Sequence, residues 1–207
     1  MKNEPANVSI SVNDDYNHRR NKGTPLDLDW VMSSQANTSA VERRAATLVA
    51  RRSVKKIYQA AWLLRAVSCI DLTTLAGDDT VGRVERLCDK AANPVCKSIL
   101  ENLGVLKVNV GAVCVYHDMI ETALNRLDGT GIPVAAVSTG FPAGLSPMRL
   151  RIAEIEDSVQ AGANEIDIVI SRRNVLTQNW AALYLSLIHI SEPTRPRLSS
   201  YAVFCLK

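Results

Sequence analysis

Long apolar runs are missing from this chain of 207 residues. None approaches the ~20 residues needed to cross a bilayer, so no membrane-spanning helix and no membrane partner is expected. The N-terminal stretch also lacks the apolar core of a signal peptide. Met1 to Pro25 is polar, with Asn3, Asn7, Asn13, Asp14, Asp15 and Asn17, and is expected to be a disordered arm. A large excess of either charge is absent too: 24 Lys and Arg stand against 21 Asp and Glu, a net charge of +3. Five cysteines occur without a CxxC pair, and Cys88 and Cys96 are too far apart for the usual zinc knuckle. Buried thiols in a reducing, cytoplasmic compartment are the expectation. There is no internal repeat and no low-complexity tract.

What the chain does carry is acid inside apolar strands. In Gly162-Ala163-Asn164-Glu165-Ile166-Asp167-Ile168-Val169-Ile170 the Asp167 carboxylate interrupts an otherwise apolar run, and a charge there needs a partner or a chemical role. Cys69-Ile70-Asp71-Leu72-Thr73-Thr74-Leu75 repeats the device, followed by the turn-like Ala76-Gly77-Asp78-Asp79-Thr80. Two strands carrying one acid each suggest a shared site. Side-chain alternation puts Asp71 and Thr73 on one face and Leu72 and Thr74 on the other.

Two further short apolar runs, Val110 to Tyr116 and Val134 to Gly144, lie between them and end in polar or turn-forming residues. Helical spacing fills the gaps: Val84, Leu87, Cys88 and Ala91, then Met119, Ile120, Ala123, Leu124 and Leu127, then Leu150, Ile152, Ile155 and Val159. Strand then helix, repeated, predicts an α/β fold with a parallel sheet covered by helices.

The blocks CIDLTTL, AVCVY, VSTGFPAG and AGANEIDIVI, in that order and at these intervals, resemble the first four strands of the deoxyribose-phosphate aldolase family, class I aldolases with a TIM barrel fold. The lead-in containing Arg52-Ser53-Val54-Lys55-Lys56 and Gln59-Ala60-Ala61-Trp62-Leu63-Leu64 is similar to the animal form. Coverage runs from about Leu26 to Tyr184. A complete eight-unit barrel takes ~250 residues, and about 120 are available for it here. The expectation is therefore a partial TIM (β/α)8 barrel, its first four βα units, preceded by N-terminal helices.

The resemblance implies a reaction: reversible cleavage of 2-deoxy-D-ribose 5-phosphate to D-glyceraldehyde 3-phosphate and acetaldehyde through a lysine Schiff base, with no metal and no cofactor. It implies that Asp167 is the acid of the proton relay, that Asp71 and Thr73 touch water or substrate hydroxyls, and that Cys114 lies near the substrate without being a nucleophile. The family's Schiff-base lysine belongs to a later strand, and none of the four blocks supplies one, so the chain as given is expected to be inactive. On the residues alone, Asp167 reads equally well as a strand-end acid bonded to loop amides, and Cys114 as a buried inert thiol. Tyr116-His117 replaces the family's tyrosine and proline, and His117 reads as a surface loop residue rather than a base. The Gly140-Phe141-Pro142-Ala143-Gly144 loop lacks the lysine and spacing of a P-loop and is expected to shape the pocket rim.

Arg43, Arg44, Arg51, Arg52, Lys55 and Lys56 make a basic stretch on a helix. It reads as a solvated face, since no nucleic-acid motif accompanies it. The alternative function is a non-catalytic half-barrel that binds or interacts through that helix. From Leu185 onward the text changes character. Leu185-Ser186-Leu187-Ile188-His189-Ile190-Ser191-Glu192-Pro193-Thr194-Arg195 and the final Ser200 to Lys207, which includes Cys205, read like translated sequencing-adapter or primer sequence. The expected organisation is an arm over 1–25, a helical lead-in over 26–66, half a barrel over 67–184 and a non-native tail over 185–207.

Overall fold

The computed structural model describes residues 25–51, 54–191 and 203–204. The expected arm, save Pro25, lies outside the described residues, as do Arg52 and the tail positions 192–202 and 205–207.

Three helices come first: α1 (Leu28–Ser33), α2 (Thr38–Arg51) and α3 (Lys56–Val67). The α1 start is set by Asp27, whose Oδ1 accepts from the Trp30 amide at 2.9 Å, and the α2 start by Asn37, whose Oδ1 accepts from the Ala40 amide at 3.0 Å. None of the three buries a residue. The basic stretch is thus not on one helix. Arg43, Arg44 and Arg51 lie on α2, Lys55 caps α3, and Lys56 begins α3 in the left-handed region at φ 53°. Its described members are exposed, as expected of a solvated face.

The α/β part follows as β1 (Asp71–Thr73), α4 (Val81–Ala92), α5 (Lys97–Leu103), β2 (Ala112–Val115), a 3-10 turn (His117–Met119) leading into α6 (Ile120–Leu127), β3 (Val134–Ser138), α7 (Met148–Gln160), β4 (Glu165–Ile168), α8 (Arg172–Leu176), α9 (Trp180–Ser191) and β5 (Val203–Phe204). The strands form one parallel sheet in chain order, β1-β2-β3-β4-β5. Parallel neighbours in sequence order, each joined by helical crossovers, are the geometry of a barrel wall.

One face of the sheet is sealed. Val84, Cys88 and Ala91 of α4 and Ile120, Ala123 and Leu127 of α6 pack on Val113, Val115, Val134 and Ala136, all between 0 and 4% exposed. These are alternate residues of β2 and β3, so the outer layer uses one parity of each strand. On α7, Ile155 packs against Ile168 of β4. Leu150, expected in that stripe, is instead exposed, and the neighbouring Arg151 is the buried residue. Thr80 caps α4 through the Arg83 amide, and Arg126 of α6 grips Asp89 of α4 with two bonds of 2.7 and 2.8 Å. Gly111 stands where a Cβ would come within 3.2 Å of the Ser68 carbonyl oxygen, so a side chain there would press the chain entering β2 away from the segment leading into β1.

The described helices cover one face of the sheet, and the other is the interior side expected of a partial barrel. The α9 helix runs across Tyr184, and Leu187 packs against the Ile155 and Ile168 cluster. The apolar text from Trp180 to Ile190 suits a helix laid on α7 whatever its origin. β5 makes a fifth strand where four were expected.

Candidate active site

The concave face gathers the acids. Strand register aligns Asp71 with Ala112, Thr73 with Cys114, Cys114 with Ala135, Ala135 with Glu165, and Val137 with Asp167. Residues paired in this way share a face, so Asp71, Thr73, Cys114, Ala135, Glu165 and Asp167 all project inward. With Ile166 they line one cavity of about 140 Å³. Sites for small ligands usually measure ~300–1,000 Å³, so this is one wall of such a site.

Every predicted site residue is in that wall. The Cys114 thiol, 2% exposed, points to Asp167 Oδ2 at 4.0 Å, and Asp167 Oδ1 is buried without a hydrogen-bond partner among the described residues. Thr73 donates its hydroxyl to the Asp71 carbonyl at 2.9 Å. Thr74, on the opposite face, donates to both carboxylate oxygens of Asp79 at 2.9 Å, so it organises the loop after β1 rather than the cavity.

Burial pushes the Asp71 carboxyl above its ordinary value, and burial together with the negative charge of Asp71 does the same to Glu165 and Asp167. Among the described residues no lysine or arginine lines the cavity to oppose this. Carboxyls held up in this way keep protons nearer to neutral pH, the condition for passing one to a bound molecule. Among the described residues no cluster of three or more His, Cys, Asp or Glu side chains could hold a metal ion. No described helix is long and apolar enough to cross a membrane.

No family model matches the chain. Similarity to individual proteins is extensive. The chain is 51% identical over 167 residues to deoxyribose-phosphate aldolase of Mus musculus, a match covering 79% of this chain and 52% of that protein. The Homo sapiens counterpart is 49% identical over 168 residues, covering 79% of this chain and 53% of its own length. Over that stretch the chain belongs to the deoxyribose-phosphate aldolase family. It spans about half the length of the curated relatives it matches.

The fold agrees. The crystal structure of a provisionally assigned deoxyribose-phosphate aldolase from Coccidioides immitis superposes with a TM-score of 0.53 at 21% identity, over 79% of this chain and 60% of that one. A provisionally assigned Toxoplasma gondii counterpart gives 0.53 at 17%, over 69% and 51%. These carry the fold alone: the α/β half of a TIM barrel.

Within this aldolase half-barrel, sequence reasoning passed over Glu165. The signal was available, since a residue two positions before Asp167 in a strand shares its face. His117 is exposed, as expected, yet its Nδ1 lies 3.2 Å from Oγ of the fully buried Ser158, tying the turn after β2 to α7. In the Gly140 to Gly144 loop, Phe141 packs against Cys114, Ala135 and Val137 and meets the Tyr116 ring edge-on at a centroid distance of 6.0 Å. The loop closes over the apolar floor beside the cavity without lining it. Its Phe141–Pro142 peptide is cis, and the Gly140 amide donates to Glu154 of α7 at 2.9 Å.

Proposed function

We propose that this chain forms one side of the active site of a deoxyribose-phosphate aldolase, acting in the cytoplasm on a sugar phosphate: 2-deoxy-D-ribose 5-phosphate, cleaved reversibly to D-glyceraldehyde 3-phosphate and acetaldehyde. The observation that carries the reading is convergence. Asp71, Thr73, Cys114 and Asp167, which belong to three of the four family blocks, line a single cavity on the concave face.

In this reading Asp167 holds and passes the proton, with its raised carboxyl suited to doing so. Asp71 and Thr73 face water or substrate hydroxyls, and Cys114 packs beside the substrate as a thiol of ordinary chemistry. The reaction's electron sink is the positive nitrogen of an imine between substrate and a lysine. In the family that lysine lies on a strand beyond the fourth. The half-barrel contributes acids and hydroxyls, which bind and move protons but form no imine.

The test is a fusion of residues 26–184 to the second half of the mouse relative. Acetaldehyde release from 2-deoxy-D-ribose 5-phosphate is expected, together with a borohydride-trapped adduct on a lysine of the mouse half. A folded fusion with no turnover would overturn the reading.

A further inference from the structure

We infer that the hydroxyl of Thr139 is a positioning clamp that continues the β3–β4 ladder past the end of β3 and thereby holds Asp167 in the cavity. The inference rests on Asp167 being the site acid, as proposed above.

The ladder between β3 and β4 ends at Ser138 and Ile168. At Thr139 the backbone swings to φ 67°, a region sparsely populated by β-branched residues, so its main chain can no longer pair with an extended neighbour. The side chain takes over. Thr139 Oγ1 accepts from the Val169 amide at 2.6 Å and donates to the Val169 carbonyl at 3.2 Å, so one hydroxyl serves both polar groups of that residue. Thr139 is fully buried and Val169 half-buried, so water does not readily replace the hydroxyl that serves the two Val169 groups. Gly144 closes on the same residue: a Cβ there would meet Val169 Cγ1 at 3.2 Å and its carbonyl oxygen at 3.4 Å.

The other end of β4 is pinned in a related way. Asn164 accepts from the Val134 amide through Oδ1 at 2.9 Å and donates its own amide to the Val134 carbonyl at 2.8 Å. Asp167 lies between the two pins. Its own side chain gives it little anchorage, with one oxygen unpartnered among the described residues and the other 4.0 Å from a thiol. The direction of the carboxylate is therefore inherited from its backbone, and Thr139 fixes that backbone on the C-terminal side.

The measurement is made on the full 207-residue chain by NMR, following amide exchange at Val169 and carboxyl titration of Asp167. The groups facing Asp167 are Asp71 from β1, Cys114 from β2 and Glu165 from β4, while β3 contributes the uncharged Ala135. Thr139→Val keeps the shape and Thr139→Ala relieves it; both remove the hydroxyl. Each is expected to speed Val169 exchange roughly tenfold, the scale of one lost buried hydrogen bond. Each should also move the Asp167 midpoint down toward the ordinary carboxylate range, as a loosened strand end admits water. Thr139→Ser should leave both readings unchanged. Unchanged Asp167 titration in either folded hydroxyl-less variant overturns the inference, as does loss of Val169 protection in Thr139→Ser. Neither reading needs turnover, so failure of the clamp and failure of the aldolase reading are distinguishable.

Discussion

The sulfur of Cys114 reaches diagonally across β3 to within 4.0 Å of Asp167 Oδ2, although 53 residues separate the two in sequence. The thiol points at an acid whose other oxygen is buried without a hydrogen-bond partner among the described residues, yet it is itself buried and carries no chemistry of its own in the proposed reaction. In the fused barrel, Cys114→Ala should lower turnover by no more than about tenfold, equivalent to ~1.4 kcal/mol in the barrier. A collapse to background would make the sulfur a reacting group.

Asp167→Asn in the same protein removes the proton carrier and keeps the shape. Turnover should fall by about two to four orders of magnitude, the usual scale for a positioned proton-transfer group. Far-UV circular dichroism should be unchanged. Turnover close to that of the parent would reduce Asp167 to a strand-end acid.

The same substitution should stabilise the fold at neutral pH. Burial and the Asp71 charge raise the folded-state value of Asp167 above its unfolded one, so its favourable contribution is complete below the ordinary carboxylate range and is lost as pH rises through the raised value. Thermal melts should therefore give Asp167→Asn the higher Tm at pH 7.5, with the gap closing as pH approaches ~4. A lower Tm across the whole range would contradict the assignment of an uncompensated charge.

Asp79 should behave with the opposite sign. Burial pulls its carboxyl up, but bonds from the Thr74 hydroxyl, the Ala76 amide and Arg83 outweigh this and hold it below the ordinary value. Its stabilisation is present above the ordinary range and is lost as pH falls through the depressed value. Asp79→Asn should lower Tm at pH 7 and converge with the parent in acid. Equal melts at pH 7 would remove Asp79 from the list of stabilising acids.

Ile120, fully buried at the start of α6, fills the outer core between that helix and the sheet. Ile120→Ala should cost about 2–5 kcal/mol of unfolding free energy in urea titrations. A loss below ~1 kcal/mol would mean that the α6 contact is not part of the cooperative core.

The full chain alone should release no acetaldehyde from 2-deoxy-D-ribose 5-phosphate, because among the described residues no lysine lines the cavity. Borohydride trapping should leave every lysine unmodified by substrate. An adduct accompanied by turnover above the buffer rate would place the electron sink within these residues.

Much of this architecture was legible because each signal was local and periodic. Val84, Cys88 and Ala91 announced a helix stripe, and the alternation of Asp71 and Thr73 against Leu72 and Thr74 announced which pair would share a face. What stayed hidden depends on how distant segments meet. Nothing near Thr139 reveals that its hydroxyl would bond both polar groups of Val169, thirty residues on. Leu150 and Arg151 exchanged their expected environments because a one-residue rotation of a helix face is finer than hydrophobic spacing resolves. The split of the basic stretch between α2 and α3 likewise has no periodic signature, as cationic side chains suit a helix end and a helix face equally well.

The two faces of β2 and β3 have a consequence for how such a protein can change. Odd and even positions of the same strands belong to separate layers: Val113, Val115, Val134 and Ala136 to the packed exterior, and Cys114, Ala135 and Val137 to the concave floor. A substitution at one parity leaves the other layer's contacts intact. Mutational drift can therefore rewrite the concave surface one position at a time while the scaffold is inherited unaltered, and a library confined to 114 and 135, the two floor positions that line the cavity, would reshape that wall from a fixed foundation.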